Sequence, residues 1–544
     1  MVAVQAADLT AAPVTAPNKF MITIILMMCT IMQALDTTIV NVALPHMEGS
    51  LGATQDQISW VLTSYIIAAA IMTPATSWVA GRIGRTRLLV LSLIGFTIVS
   101  LLCGIAGSIS QMVLFRILQG VFGAAMMPLS QAILLDSHAR HEVGRAMSIW
   151  GMGVMVAPIM GPTLGGYLTE EFSWRWCFYI NLPLGVLTVL GALAFIPESD
   201  PVRDRKFDWF GFGFLSLAIA ALQLALDRGE QQGWFSSVEI QIEIVLTAFG
   251  LYMFTVHSLT AQRPFIDLAM FRDRNFILCM LLATGTNVVF NGSFVLSPQL
   301  LQTELNYPVI TAGLVMGPRG FGTIFAMLVF GRVSNRVDQR FLVLFGMTVV
   351  GGTMYAMSGW SLNVGAEQFI WMSVIQGVGM GFAFAPMTTL AFSTLPAHLR
   401  TEASGFYALV RNVGGAVGIS IVISRLSSLT QTNHEHLTEF VTPFRHLMGT
   451  TGMSPRASME VMNGELTRQA GMVAYVNVFR LLALLSVVFA PLLLFVRANP
   501  MVGRPDPAAA AAGSGRPTIG LARTKSSSGA KTTLSSASSR NTFT

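Results

Sequence analysis

The sequence predicts an all-α, polytopic membrane protein built as two six-helix bundles with two further helices inserted between them. Only 11% of its 544 residues are charged and 53% are apolar, roughly half the charge density of an ordinary water-soluble protein. Apolar runs of about 18 to 25 residues recur from Phe20 to Val496, each long enough to cross a hydrocarbon core about 30 Å thick as a helix that satisfies its own backbone. A short pattern also repeats. The second run leaves the membrane through Ser77-Trp-Val-Ala-Gly-Arg-Ile-Gly-Arg-Thr-Arg87 and the tenth through Phe330-Gly-Arg-Val-Ser-Asn-Arg336, as expected of parallel repeats related by an axis along the membrane normal.

The runs give about fourteen spans, the first centred near Met28 and the last near Leu485. The predicted organisation is a disordered N-terminal tail (1–18), a six-helix bundle (19–200), two inserted helices (201–262), a second six-helix bundle (263–500) and a disordered basic tail (501–544). An even number of spans places both termini on one side. The loops holding Arg82, Arg85, Arg87, Arg140, Arg145, Arg203 and Arg400 fall on that side too, whereas short opposite loops such as 45–58 and 107–111 contain no Lys or Arg. By the positive-inside rule the arginine-rich side is the cytoplasm. Before the last span, residues 425–474 form a polar, outward-facing stretch long enough to fold into helices of its own and to touch a partner. The first apolar run lacks a basic leader and a cleavage site, so it reads as a retained span.

Charge distribution excludes several function classes. The net charge of +6 comes from loop and tail residues, which mark topology rather than a phosphate-binding face, so no nucleic-acid partner is expected. Cys29, Cys103, Cys177 and Cys279 lie within apolar runs with no disulfide or metal spacing. His434 and His436 alone make no metal site. No phosphate-cradling Gly-x-x-x-x-Gly-Lys loop and no His-Glu-x-x-His pattern occur, so the chain reads as no enzyme and as needing no cofactor beyond an ion gradient.

Transport coupled to protons needs a group that changes charge inside the membrane, where ionisable side chains are costly. Asp36 reads as the one acid well inside a span, roughly 12 Å below the outer end of the first helix, and Arg116 lies roughly 6 Å below the same surface in the fourth. Their matched depths predict a coupling pair in which Asp36 alternates between a protonated state and one facing Arg116 or substrate. Two blander readings stay open: a solvated or permanently paired carboxylate, and an arginine that only ties helices through backbone carbonyls. In the fifth span Gly153, Pro158, Gly161, Pro162, Gly165 and Gly166 combine small faces for close helix approach with missing backbone donors, predicting either a hinge or ordinary tight packing. Gln33, Asn41, Gln119, Asn287, Asn291 and Gln376 are the candidate polar lining of a substrate cavity between the halves, among 31 methionines and 35 phenylalanines that supply adaptable apolar walls. A membrane scaffold or receptor without transport activity leaves this set of buried polar groups unexplained.

Leu35-Asp36-Thr-Thr-Ile-Val-Asn-Val-Ala-Leu-Pro45, Arg116 to Gly120, Gly161 to Gly166, Trp174-Arg-Trp-Cys-Phe-Tyr-Ile-Asn-Leu-Pro-Leu-Gly185 and Pro318-Arg319-Gly320 together resemble the motifs of the major facilitator superfamily, in particular its fourteen-span, EmrB-like drug:proton antiporters. The resemblance covers nearly the whole chain apart from the tails. It implies a major facilitator fold in the bacterial inner membrane, efflux of amphipathic drugs against inward proton flow, and coupling roles for Asp36 and Arg116. It also implies a periplasmic adaptor and an outer-membrane channel as partners, docking on 425–474. Export or uptake of one metabolite, such as a fatty acid, siderophore or sugar, is the alternative within transport. Arg82, Gly84 and Arg85 fit the family's cytoplasmic gate motif, but Gly81 stands where the family usually has an aspartate and Ser77 where it has a glycine, so the usual gate-locking ion pair is not expected.

Overall fold

The structure, a computed structural model, describes residues 18–139, 142–198, 207–262, 264–334, 336–396, 399–439 and 455–497. The two predicted tails therefore lie outside the described residues, apart from Asn18, as do 440–454 of the outward stretch. Fourteen helices are long and apolar enough to cross a membrane, and no strand occurs among the described residues. The first bundle comprises α1 (Lys19–Leu51), α2 (Gln57–Ile83), α3 (Arg85–Ile105), α4 (Ile109–Ser137), α5 (Val143–Glu171) and α6 (Trp176–Phe195). The inserted pair is α7 (Trp209–Arg228) and α8 (Val238–Thr260). The second bundle comprises α9 (Arg274–Thr303), α10 (Thr311–Val333), α11 (Gln339–Met357), α12 (Ala366–Ser393), α13 (Arg400–Glu439) and α14 (Met459–Phe495).

Helix starts on the arginine-rich face, called the basic face below, are fixed by carboxylates. Asp208, Asp273 and Asp338 accept from the backbone N–H groups of Gly211, Phe276 and Arg340 at 3.0, 2.9 and 3.0 Å, satisfying donors a helix terminus leaves open. Several acids at span ends are thus caps. On the opposite face Thr54 and Gln57 form a capping box ahead of α2. The chain turns from α2 into α3 at Gly84, whose φ of 93° favours glycine. Three spans are interrupted: α4 between Gly123 and Met126, α6 at Ile180, and α10 at Gly317 and Pro318.

Pairing within the first bundle recurs eight helices later. α1 packs on α5 as α9 packs on α13, α2 on α4 as α10 on α12, and α3 on α4 and α6 as α11 on α12 and α14. A glycine permits the α2–α4 and α10–α12 crossings in both bundles. A Cβ on Gly120 would collide with the backbone of α2 at Tyr65, and one on Gly377 with the backbone of α10 at Arg319. Close helix approach through small residues is the main source of packing energy inside a membrane, where lipid is as apolar as the helix surface. The bundles meet where α5 packs on α10 and α12, and where α2 and α4 pack on α13; α7 and α8 pack on each other, with α7 lodged against α2 and α13.

The apolar core is distributed unequally through the membrane. Toward the basic face a single cluster joins both bundles, including Leu26, Met126 and Trp150 from the first and Phe330, Leu390 and Tyr407 from the second. Toward the opposite face there are two clusters, one around Val40, Met112 and Phe178 and the other around Leu300, Phe369 and Phe479. The bundles are therefore fused at the basic face. Asp136, at the end of α4, ties this end together: it pairs with Arg85 at the start of α3 and, at 3.0 Å, with Arg400 at the start of α13. Ser404 of α13 donates to the carbonyl of Pro128 in α4 at 3.2 Å.

Candidate functional site

α1 carries Asp36 into the interior of the first bundle because α5 offers it a groove of small residues. A Cβ on Gly165 would sit 2.8 Å from the carbonyl oxygen of Ile39, and one on Gly161 would overlap Thr38. Gly153 receives Met27 and Ile31 one helical stretch earlier. These predicted hinge positions thus lie on a tight crossing within one bundle, and α5 continues as one helix through Pro158 and Pro162. Gly166 differs, with Val42 at an ordinary 4.0 Å. The close crossing fixes the register of Thr38 and Ile39, and with them Asp36, against the bundle.

Asp36 and Arg116 are both 0% exposed and meet at 2.7 Å between Oδ2 and Nη1. The other carboxylate oxygen, Oδ1, accepts from Gln119 Nε2 at 2.9 Å and from Asn181 Nδ2 at 3.0 Å. Arg116 in turn donates through Nε to the carbonyl of Val61 at 2.9 Å and through Nη1 to Gln119 Oε1 at 2.6 Å. Its guanidinium lies 4.3 Å from the centre of the Tyr65 ring, a favourable cation–π placement. Ser100 accepts from Gln119 at 2.8 Å and Asn181 at 3.4 Å. One carboxylate therefore draws together α1, α2, α3, α4 and α6. Such extra hydrogen bonds are what makes a buried ion pair tolerable; within this network Arg116 Nη2 and Asn181 Oδ1 are buried without a hydrogen-bond partner. Arg116 also does what the bland reading expected, tying helices through a backbone carbonyl.

Two candidate cavity residues are elsewhere. Gln119 is fully buried and clamped between Asp36, Arg116 and Ser100, so it belongs to the charge network. Gln376 is 1% exposed and donates to Ser293 Oγ at 2.8 Å inside the second bundle; its amide is likewise consumed by its neighbours. Asn287 does line a cavity, together with Phe290, Met155, Met347, Met380 and Phe384. Met155 is contributed by α5, so the cavity lies where the second bundle meets the first. Asn291 is turned back on its own helix, donating to the carbonyl of Asn287 at 3.0 Å. Asn41 is exposed toward the far end of α1, and Gln33 is half-buried.

At the basic face, Arg85 enters the Asp136 pair, Gly84 makes the turn, and Arg82 is exposed beside the ring of Trp78 at 5.6 Å. Asp36 is also not the lone acid inside a span: Glu243, 8% exposed in α8, is another. It was overlooked because it lies close to the helix start, where sequence position alone implies water. Asn181 and Ser100 were missed as well. Asn181 stands in the Trp174–Gly185 motif as a polar residue in an apolar segment, and the break at Ile180 places it at the first position of the next helical segment, aimed at Asp36. Among the described residues no group of three or more His, Cys, Asp or Glu side chains is arranged to hold a metal.

Two bundles of matching helix pairing, a buried charge network in one and a cavity at their junction, define a multi-pass membrane transporter rather than an enzyme. Residues 26–419 match the family model described as Major Facilitator Superfamily. The chain is 35% identical over 435 residues to the multidrug export protein EmrB of Escherichia coli strain K12, covering 79% of this chain and 85% of that protein. It is 33% identical over 480 residues to the fatty acid resistance protein FarB of Neisseria gonorrhoeae, covering 87% and 94%. The solved structure of the proton:xylose symporter XylE superposes with a TM-score of 0.56 at 14% identity, over 89% of this chain and 97% of that one, a likeness of fold. The chain belongs to the Major Facilitator Superfamily, in its EmrB-like branch.

Proposed function

We propose that the protein is a proton-driven antiporter that exports amphipathic organic compounds across the bacterial inner membrane by alternating access, with the basic face toward the cytoplasm. The observation that carries this reading is the Asp36–Arg116 pair, fully buried and held by Gln119 and Asn181. Intramembrane charge is costly, and a buried ionisable pair marks a functional site, proton relays being among its uses. A proton arriving from the opposite face neutralises Asp36 and weakens its three bonds to α4 and α6. α1 then shifts with α5, its closest partner, and α5 carries the contact with α10 and α12. Neutralisation in one bundle thereby biases the interface between the two, a local charge change acting on a bistable element. The Asp136 pairs with Arg85 and Arg400 hold the basic face shut until that bias releases them. The relatives' names, a multidrug export protein and a fatty acid resistance protein, support an outward direction of transport.

The outward stretch supports an adaptor partner. α13 has 40 residues, roughly 60 Å of helix against a hydrocarbon core of about 30 Å, and its far end lies beside α14 through Asn433 to the carbonyl of Ala470 at 3.3 Å and His434 to Asn463 at 3.0 Å. This hairpin is the proposed docking surface for a periplasmic adaptor that leads to an outer-membrane channel; its deletion abolishes adaptor capture, and retained capture removes it from that role. The second reading, export of one metabolite class, is favoured by the fatty acid resistance relative. Expression in a pump-deficient host, challenged with a panel of chemically unrelated amphipathic toxins, separates the two. Raised tolerance to several classes, lost with Asp36→Asn, supports a broad antiporter; tolerance to one class supports the narrow reading.

A further inference from the structure

The second bundle repeats the polar network of the first with its carboxylate missing. Gln119 and Gly120 on α4 correspond to Gln376 and Gly377 on α12: each glycine abuts the backbone of the paired helix, at Tyr65 and at Arg319. Gln119 donates to Asp36 on α1; Gln376 donates to Ser293 on α9 at 2.8 Å. Ser293 therefore stands where the first bundle has its acid, yet a guanidinium is still present. Arg319 is 1% exposed, and its Nε and Nη1 are buried with no hydrogen-bond partner. Its one polar contact is Nη2 to Ser297 Oγ at a long 3.5 Å, and the Phe294 ring lies 4.7 Å from the guanidinium.

No carboxylate of the second bundle can supply the missing charge. Asp267 caps the short turn ahead of α9, Asp273 and Asp338 cap helices, Glu304 ends α9, Glu367 and Glu402 occupy first turns, and Glu435, Glu439, Glu460 and Glu465 lie in the α13–α14 hairpin. Leaving a buried cation and two of its donors unpaired is among the most expensive arrangements a fold can keep. The break at Gly317 and Pro318 also makes Arg319 the first residue of the inner segment of α10, where backbone N–H groups add positive potential. Val289 and Met380, one helical turn from Ser293 and Gln376, line the apolar cavity, as does Phe290, whose ring packs on Phe294 at 4.8 Å. A closely packed polar cluster with excess positive charge thus adjoins an apolar, methionine-walled cavity, with the Phe290 and Phe294 rings beside both.

We infer that Arg319, with the hydroxyls of Ser293 and Ser297, receives the carboxylate of an amphipathic organic acid whose apolar tail occupies the cavity between α9, α11 and α12, while Gln376 holds Ser293 in place. The ligand supplies the acid that Asp36 supplies in the first bundle, and the Phe290–Phe294 pair must part to admit it. This rests on the transport reading above and names its substrate class. Equilibrium binding to the full-length protein in zwitterionic lipid nanodiscs, without any gradient, tests it with three tails of equal length: dodecanoate, dodecanol and dodecylammonium. Wild type binds dodecanoate about tenfold or more tighter than the other two, the scale of a charge-assisted hydrogen-bonded pair. Arg319→Gln removes that preference and leaves dodecanol unchanged. Because Arg319→Gln can fail to fold, Ser293→Asp is the companion: its own carboxylate pairs with Arg319, keeps or raises the thermal midpoint, and displaces dodecanoate alone. Equal binding of the three tails to wild type, or dodecanoate binding untouched by Ser293→Asp, overturns the site. Either result stands apart from gradient-driven dye efflux, whose absence overturns the pump itself.

Discussion

Asp36 accepts from three side chains on two helices, while Arg116 has no other carboxylate within reach. Asp36→Asn therefore leaves a buried guanidinium unpaired, and the expected loss is about 3–5 kcal/mol of stability, read as a lowered thermal midpoint in detergent. Adding Arg116→Met to Asp36→Asn recovers most of that loss without recovering transport; a double variant no more stable than the single one contradicts the pairing. Asn181→Ala removes one donor and is expected to cost about 1–3 kcal/mol, measured the same way. Asp36 and Arg116 were legible in the sequence because a charge inside an apolar run is conspicuous. Asn181 and Ser100 were not, since neutral polar residues are common in spans and only the break at Ile180 aims Asn181 at the carboxylate. Gln119 and Gln376 looked like cavity residues for a related reason: an amide reads the same in sequence whether it faces a ligand or is clamped by neighbours.

At the scale of helices, α1 and α5 act as one piece, locked by glycines whose crowding differs sharply along one face. Gly165→Leu drives a side chain into the backbone of Ile39 and is expected to destabilise by about 1–3 kcal/mol or more, whereas Gly166→Ala, with its nearest neighbour at 4.0 Å, leaves the thermal midpoint unchanged. Equal effects contradict the assignment of the crossing. The glycine cluster was readable as a close-approach face, but its partner was not, because spacing alone does not say whether the opposing helix lies in the same bundle or across the interface. The basic-face pairs give a second expectation. In protein carrying Ser404→Cys, Asp136→Asn breaks the Asp136 pairs with Arg85 and Arg400 and accelerates maleimide labelling severalfold when the reagent is applied to the basic face; an unchanged rate removes Asp136 as the latch. The missing aspartate at Gly81 was visible in the sequence. That Asp136 spans both bundles instead was not, as Arg400 lies 264 positions away.

Across the whole molecule, the number of helices and the eight-helix repeat followed from hydropathy and from the Gly-Arg exits of the second and tenth spans, signals that lipid makes strong by forbidding alternatives to helix. The joining of the two cores at the basic face and their separation at the other were not legible, because hydropathy marks which segments span the membrane and not which end of two bundles closes. The account predicts that one proton site, remote from the cavity and reached through α1 and α5, drives the exchange between those arrangements. Reconstituted vesicles under an imposed pH gradient, followed for substrate-dependent proton movement and dye efflux in wild type and Asp36→Asn, measure this most directly. Coupled movement in wild type and neither flux in the variant is the predicted result; undiminished exchange in the variant contradicts it.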